Sequence, residues 1–224
     1  MMEKMIKKAD YKRQSSLINI SELRNNKIGI IGCGAIGSFT GITIAKMGLT
    51  KFLLVDFDKV EKHNLPNQFF TEQNIGELKT RALMNHMVSF NSDVEIHAIG
   101  KEFTPNQIKD CQIVISAVDN MEVRKSIFNA CKKNKATQLF IDTRMGGLQG
   151  QIYTIDMTKN KEKKYYETTL FDNKEAVQLR CTERSIIFTV LGISSMVSNQ
   201  LFKAFRNEEF RNFIALDYTI PQLI

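Results

Sequence analysis

Residues 32–38 read GCGAIGS, with glycines at 32, 34 and 37 in the spacing G-x-G-x-x-G. The stretch follows an apolar run, 28–31, and opens into a segment of helical character, 39–47. A glycine-rich turn between strand and helix is suited to holding phosphate. Gly32 and Gly34 allow a tight turn and close approach of an anion. Gly37 allows close helix–strand packing, and N–H groups at the helix start face the ligand. Asp56 closes the next apolar run, 19 residues after Gly37, where an acid can bind ribose hydroxyls. NAD and ATP both satisfy this pattern, because each carries adenosine and phosphates.

Cys181 stands in LRCTERS (179–185), just before a long helical pattern and beside Arg180 and Arg184. A cysteine near a helix N-terminus and close to cations has a lowered pKa, and its thiolate is a nucleophile. The alternative is a structural cysteine that neighbours substrate. Cys33, Cys111 and Cys131 read as small core residues. None of the four cysteines forms a C-x-x-C pair, so neither a paired-cysteine zinc site nor a disulfide framework is expected. His63, His86 and His97 read as surface residues. No His–Asp pair stands out, whereas hydride transfer usually needs an acid–base group.

The elements that must position these residues alternate. Strands are predicted at 27–31, 51–55, 94–98, 112–116 and 138–142, and helices at 35–47, 77–90 and 121–134. Such β-α-β-α repetition implies an α/β fold, a Rossmann-like doubly wound, mainly parallel sheet with helices on both faces. After Asp142 the pattern changes to QGQIYTID (149–156), an alternating strand suited to an antiparallel C-terminal extension. Residues 157–180 read as a polar crossover loop. A long helix (183–206) and a strand (213–218) follow, and 11–24 suit an N-terminal helix. The whole chain, 1–224, reads as one domain.

Hydrophobic residues make up 43% and charged residues 25% of the 224, which suits a globular domain with a real core. No apolar run approaches the ~18 residues of a membrane span, and the charged N-terminus lacks a signal-peptide centre; a cytoplasmic protein is expected, with no membrane partner. The formal net charge is +7. Clusters at Lys132–Lys133 and 159–164 read as solvated surface or as a landing surface for an acidic partner. No aromatic-interleaved basic motif is present, and no nucleic-acid partner is expected.

Four further stretches, YKRQ (11–14), DFDKVEKHNLPNQF (56–69), GELKTRAL (76–83) and SAVDNMEVR (116–124), place polar groups beyond the carboxyl ends of the predicted strands. In this order they resemble adenylating enzymes of the ThiF/HesA/MoeB type, from about Tyr11 to Tyr218. That family includes activating enzymes of ubiquitin-like proteins and of bacterial sulfur carriers. The resemblance implies an ATP-binding adenylation domain that uses ATP and Mg²⁺. The C-terminal carboxylate of a small ubiquitin-like or sulfur-carrier protein, ending in Gly-Gly, attacks the α-phosphate and releases pyrophosphate. It implies that Asp56 binds ribose, that Asp58 belongs to the nucleotide site, that Asn64 and Gln68 lie near phosphates and ribose, and that Lys79 contacts phosphate. It further implies that Asp119 helps bind Mg²⁺, that Arg13 reaches a partner subunit's site in a homodimer, and that Cys181 accepts the activated carrier in some members.

The residue types agree. Attack on a polyanion needs neutralising cations, hard Mg²⁺ can be held by one carboxylate and waters, and a carboxylate nucleophile needs no general base. Asp119 is also a natural helix cap, and Arg124 either orients it or sits on the helix face. The family usually shows Asn-Leu-x-Arg-Gln, where this chain has Asn67 in place of the arginine. Either another cation (Lys59, Lys62 or Arg144) substitutes or adenylation is weakened. The chain also has Asp10 where the N-terminal signature commonly begins with Arg, and it lacks the two C-x-x-C pairs of many bacterial members. Two competing functions remain. An NAD-dependent oxidoreductase explains the glycines and Asp56, but not Asn64, Gln68, Lys79 and Asp119. A partner-binding protein that keeps the fold has Asn67 as its support.

Overall fold

Apolar runs form the centre of a seven-stranded sheet in a computed structural model that describes residues 9–172 and 185–219. The strands are β1 (Lys27–Ile31), β2 (Lys51–Val55), β3 (Glu95–Ile99), β4 (Ile113–Ser116), β5 (Leu139–Gly146), β6 (Gln149–Asp156) and β7 (Phe213–Asp217). Their order is β3-β2-β1-β4-β5-β6-β7. β3, β2, β1, β4 and β5 are parallel, and β6 and β7 continue antiparallel. The order reverses between β1 and β4, the kind of crevice where open α/β sheets bind ligands. β1, β2 and β4 are almost wholly buried, which is why they read as continuous apolar runs rather than alternating ones.

The helices are α1 (Ile20–Leu23), α2 (Ala35–Lys46), α3 (Lys79–Phe90), α4 (Met121–Lys133), α5 (Asn160–Glu167) and α6 (Ile187–Phe205). On one face Ile28, Ile30, Leu54 and Ile115 pack with Ile42, Leu83, Ile193 and Val197 from α2, α3 and α6. On the other, Ile31, Val55, Val114 and Phe140 pack with Ile127, Phe128 and Tyr166 from α4 and α5. α6 has no charged residue before Lys203; it buries Ile193, Val197 and Leu201 and leaves Phe188 and Leu191 exposed.

Two expected elements differ. The N-terminal helix over 11–24 is a series of turns followed by the four-residue α1. Asn19 breaks it: its Oδ1 accepts the Ser21 N–H and hydroxyl, restarting the helix at that point. The crossover segment 157–180 is not all loop, because α5 lies within it. That helix forms because one side chain, Tyr166, is fully buried, its ring centroid 4.5 Å from Phe128 and 5.2 Å from Phe140. β5 runs on to Gly146 because it pairs along its length with β6. Among the described residues, no helix is long and apolar enough to cross a membrane.

Candidate active site

The three glycines serve different ends. Gly32 has φ +91°, and a Cβ there would lie 2.6 Å from the Ala117 carbonyl oxygen. A Cβ on Gly37 would lie 1.9 Å from the Gly32 carbonyl oxygen. These two let β1, α2 and the end of β4 close on one another. Gly34 precedes α2, which has no side-chain cap. A Cβ there would meet only Gln68 Nε2, at 3.9 Å, so this glycine leaves room beside the helix start.

Asp56, just past β2, faces that turn. Its Oδ2 accepts the Cys33 N–H at 2.7 Å and its Oδ1 accepts the Asp58 N–H at 2.8 Å. Burial raises the Asp56 carboxyl above its ordinary range, although both N–H bonds and Lys79 pull it down. The Cys33 thiol is buried and pushed up by desolvation, then by Asp56, which leaves it protonated and inert.

The chain from 57 to 78 folds back on itself. Val60 N donates to Glu77 O, Gly76 N to Val60 O and Lys79 N to Asp58 O, at 2.8–2.9 Å. The return brings the Lys79 ammonium 2.7 Å from Asp58 Oδ2. Lys79 is buried rather than set on the outer surface of its helix. Asn64 is buried, and its Oδ1 accepts the Glu61 N–H at 2.9 Å, closing a 3₁₀ turn. Its carbonyl takes the Gln68 N–H at 2.9 Å, which sets Gln68 beside Gly34. Phe69 N donates to Ser38 Oγ at 3.0 Å and fastens the loop to α2. Gln68 Oε1 is buried without a hydrogen-bond partner, as is Asn67 Oδ1. The Asn67 amide nitrogen donates to the Ser185 hydroxyl, and Ser185 bridges to Gly147.

Asp119 is exposed on the turn after β4. It does not cap α4. Asn120 does, its Oδ1 accepting the Glu122 N–H at 2.8 Å and the Val123 N–H at 3.1 Å. Arg124 is buried and directs its donors to Asp142, the Val118 carbonyl and the Thr143 carbonyl. It therefore holds the residue before Asp119. Arg144 is committed to Asp142 and Thr169 and is not a loose cation replacing the family's arginine; Lys59 and Lys62 are exposed.

Gly32, Gly34, Gly37, Asp56, Asp58, Gln68 and Lys79 thus gather around one turn, with Asp119 on the next strand's loop. Asn64 serves the architecture of that turn. Arg13 does not join them. Tyr11 and Gln14 donate to the Ala45 and Lys46 carbonyls at the C-terminal end of α2, about 18 Å along the helix from the glycine turn. Cys181 lies outside the described residues. Ser185, Ser38 and Asp142 join this network outside the predicted site residues; only Asp142 has a signal in the sequence, an acid directly after the apolar run 139–141. Among the described residues no three acids, cysteines or histidines cluster to hold a metal.

The profile of the ThiF family matches residues 11–219. Ubiquitin-like modifier-activating enzyme 5 of Bombyx mori is 31% identical over 137 residues, covering 54% of this chain and 35% of that protein. The enzyme of the same name from Gallus gallus is 28% identical over 148 residues, 59% of this chain and 37% of that one. The chain thus spans little more than a third of the length of these relatives. Among solved structures, E. coli MccB with AMPCPP and MccA superposes with TM-score 0.74 at 19% identity, over 91% of this chain and 64% of that one. PaaA gives 0.72 at 16% identity, over 93% and 66%. At these identities the likeness is one of fold.

Proposed function

The chain belongs to the ThiF family, and from that premise we propose that it is an ATP-dependent adenylyltransferase. It activates the C-terminal carboxylate of a small ubiquitin-like or sulfur-carrier protein ending in Gly-Gly. One observation carries the reading: a buried lysine and a half-buried aspartate, Asp56, converge on a glycine turn that leaves room at Gly34. The relatives are named for activating ubiquitin-like modifiers, and MccB was crystallised with ATP.

In the reaction a carboxylate oxygen of the carrier attacks the α-phosphorus, the bond to pyrophosphate breaks, and no proton changes hands. Gly34 lets phosphate approach the start of α2, where N–H groups face it. Lys79 exchanges Asp58 for a phosphate oxygen and neutralises charge. Asp56 accepts from the ribose, and Gln68 Oε1 supplies an acceptor for the same hydroxyls. Asp119 fits Mg²⁺: it is an exposed carboxylate relieved of capping by Asn120, and Mg²⁺ uses one or two carboxylates plus phosphate oxygens and water. When bound, the ion supplies positive charge along the triphosphate. Arg13, remote from its own site, would serve a partner's in a homodimer, and Cys181 would receive the activated carrier. The cytoplasm is the setting we propose for this chemistry.

Titration with Mg-ATP and with NAD tests the reading. Mg²⁺-dependent ATP binding, followed by carrier-dependent pyrophosphate exchange, is the expected result; NAD binding with ATP ignored would overturn it. A second reading, a partner-binding protein with weakened adenylation, is favoured by one observation: the Asn67 amide is spent on Ser185. ATP binding without pyrophosphate exchange in the presence of the carrier would select it.

A further inference from the structure

Asp142 lies in β5 with no exposed surface, between Ile141 and Thr143, which are both buried. Each carboxylate oxygen takes a different guanidinium. Arg124 Nε donates to Oδ1 at 2.6 Å, and Arg144 Nε to Oδ2 at 2.9 Å. Arg124, on α4, also donates to the Val118 carbonyl and, at 3.0 Å, to the Thr143 carbonyl. Arg144 reaches the Thr169 carbonyl at 2.8 Å and lies over the Tyr153 ring at 4.5 Å.

Two cations and one anion held out of water are a poor way to gain stability. Desolvation offsets most of their attraction, and apolar replacements often do as well. The arrangement does supply direction. A guanidinium presents its donors in a rigid fork, and one arm of this fork ends on the carbonyl of the Val118–Asp119 peptide. Because a peptide is planar, holding that oxygen orients the backbone entering Asp119.

We infer that Arg124 is a positioning residue, anchored by Asp142, that holds the Val118–Asp119 peptide so that the Asp119 carboxylate is presented toward the phosphates. The metal half of this inference rests on the function proposed above. The orientation of the loop does not.

The test uses Arg124→Lys, which keeps the charge beside Asp142 but has one nitrogen and cannot also reach Val118. Amide hydrogen exchange is followed without ligand, and ATP binding is titrated by calorimetry at rising Mg²⁺. Exchange at 118–120 should quicken while 32–37 stays unchanged, and the Mg²⁺ needed for half-saturation should rise about tenfold. In an Asp119→Asn background, Arg124→Lys should add nothing to the Mg²⁺ requirement. A folded Arg124→Lys with wild-type exchange and Mg²⁺ requirement overturns the inference, as does an additive effect in the double variant. Should Arg124→Lys fail to fold, Asp142→Asn is read by the same exchange, with the same outcomes. A wild type that binds no Mg-ATP sinks the proposed function and the metal half with it; the exchange then still decides whether Arg124 holds the loop.

Discussion

The Lys79 ammonium lies 2.7 Å from Asp58 Oδ2, with the lysine side chain 9% exposed and the aspartate 49% exposed. The pair is asymmetric. The fold delivers the cation to a fixed place, and its acid partner faces water, so in the proposed site an incoming phosphate would compete with Asp58 rather than with the protein interior. Replacing Lys79 by Ala should weaken ATP binding roughly ten- to a hundredfold, the range of a charge-assisted hydrogen bond. Adenosine binding should hold. Calorimetry with both ligands checks this, and equal losses for the two would refute a phosphate contact.

The glycines should separate fold from ligand. Gly37→Ala puts a methyl into the Gly32 carbonyl and should cost about 2–3 kcal/mol or prevent folding. Gly34→Ala meets nothing closer than 3.9 Å, so its melting temperature should stay near wild type while nucleotide affinity falls. Thermal melts and ATP titrations of both proteins suffice. A Gly34→Ala that binds ATP normally would show that the space beside α2 is not the phosphate site.

Burial holds the Asp56 carboxyl above the ordinary carboxylate range. The folded chain therefore binds this proton more tightly than the unfolded chain. The stability it contributes is complete below the unfolded pKa and is lost as pH rises through the raised folded value. In the proposed site the ionised form is the ribose acceptor, so ATP affinity should drop on acidification through the same midpoint. Carboxyl ¹³C titration of Asp56 reads it directly, and a midpoint at or below that of an ordinary aspartate would contradict the burial argument.

Asn67 stands where the family usually has arginine, with its Oδ1 buried and unpartnered. Asn67→Arg should tighten ATP binding about tenfold through a charge-assisted contact and leave AMP binding unchanged. Ser185→Ala is the control, because it removes the Asn67 partner without adding charge. No gain for ATP would mean that the triphosphate lies elsewhere.

Phe188 and Leu191 on α6 are 43% and 47% exposed, an apolar face suited to the proposed dimer contact. Sedimentation of the wild type should give a dimer, and Phe188→Glu with Leu191→Glu a folded monomer. A wild-type monomer at working concentrations would remove the route by which Arg13 could reach a partner's site.

The parallel core, the strand–turn–helix around Gly32, Gly34 and Gly37, and Asp56 at the end of β2 were legible in the chain. Each depends on local period or on residues a few positions apart. α5 was not, because its polar surface pattern conceals that one residue, Tyr166, stacks on Phe128 and Phe140 from distant segments. The N-terminal helix was over-read, because Asn19 offers a cap that competes with continuing the helix.

The amino-acid sequence by itself determined the glycine turn between strand and helix, the mainly parallel sheet and the family. These follow from glycine spacing, burial period and motif order along the chain. Only the tertiary structure decided which groups work on which. It gave the α4 cap to Asn120 rather than Asp119, paired Lys79 with Asp58, joined Asn67 to Ser185, and set Arg124 on the Val118 carbonyl. It also put Arg13 at the far end of α2 from its own site. Hydrogen bonds and ion pairs reach about 3 Å, and which side chains come that close depends on loop closure and packing between strands, not on their separation in sequence.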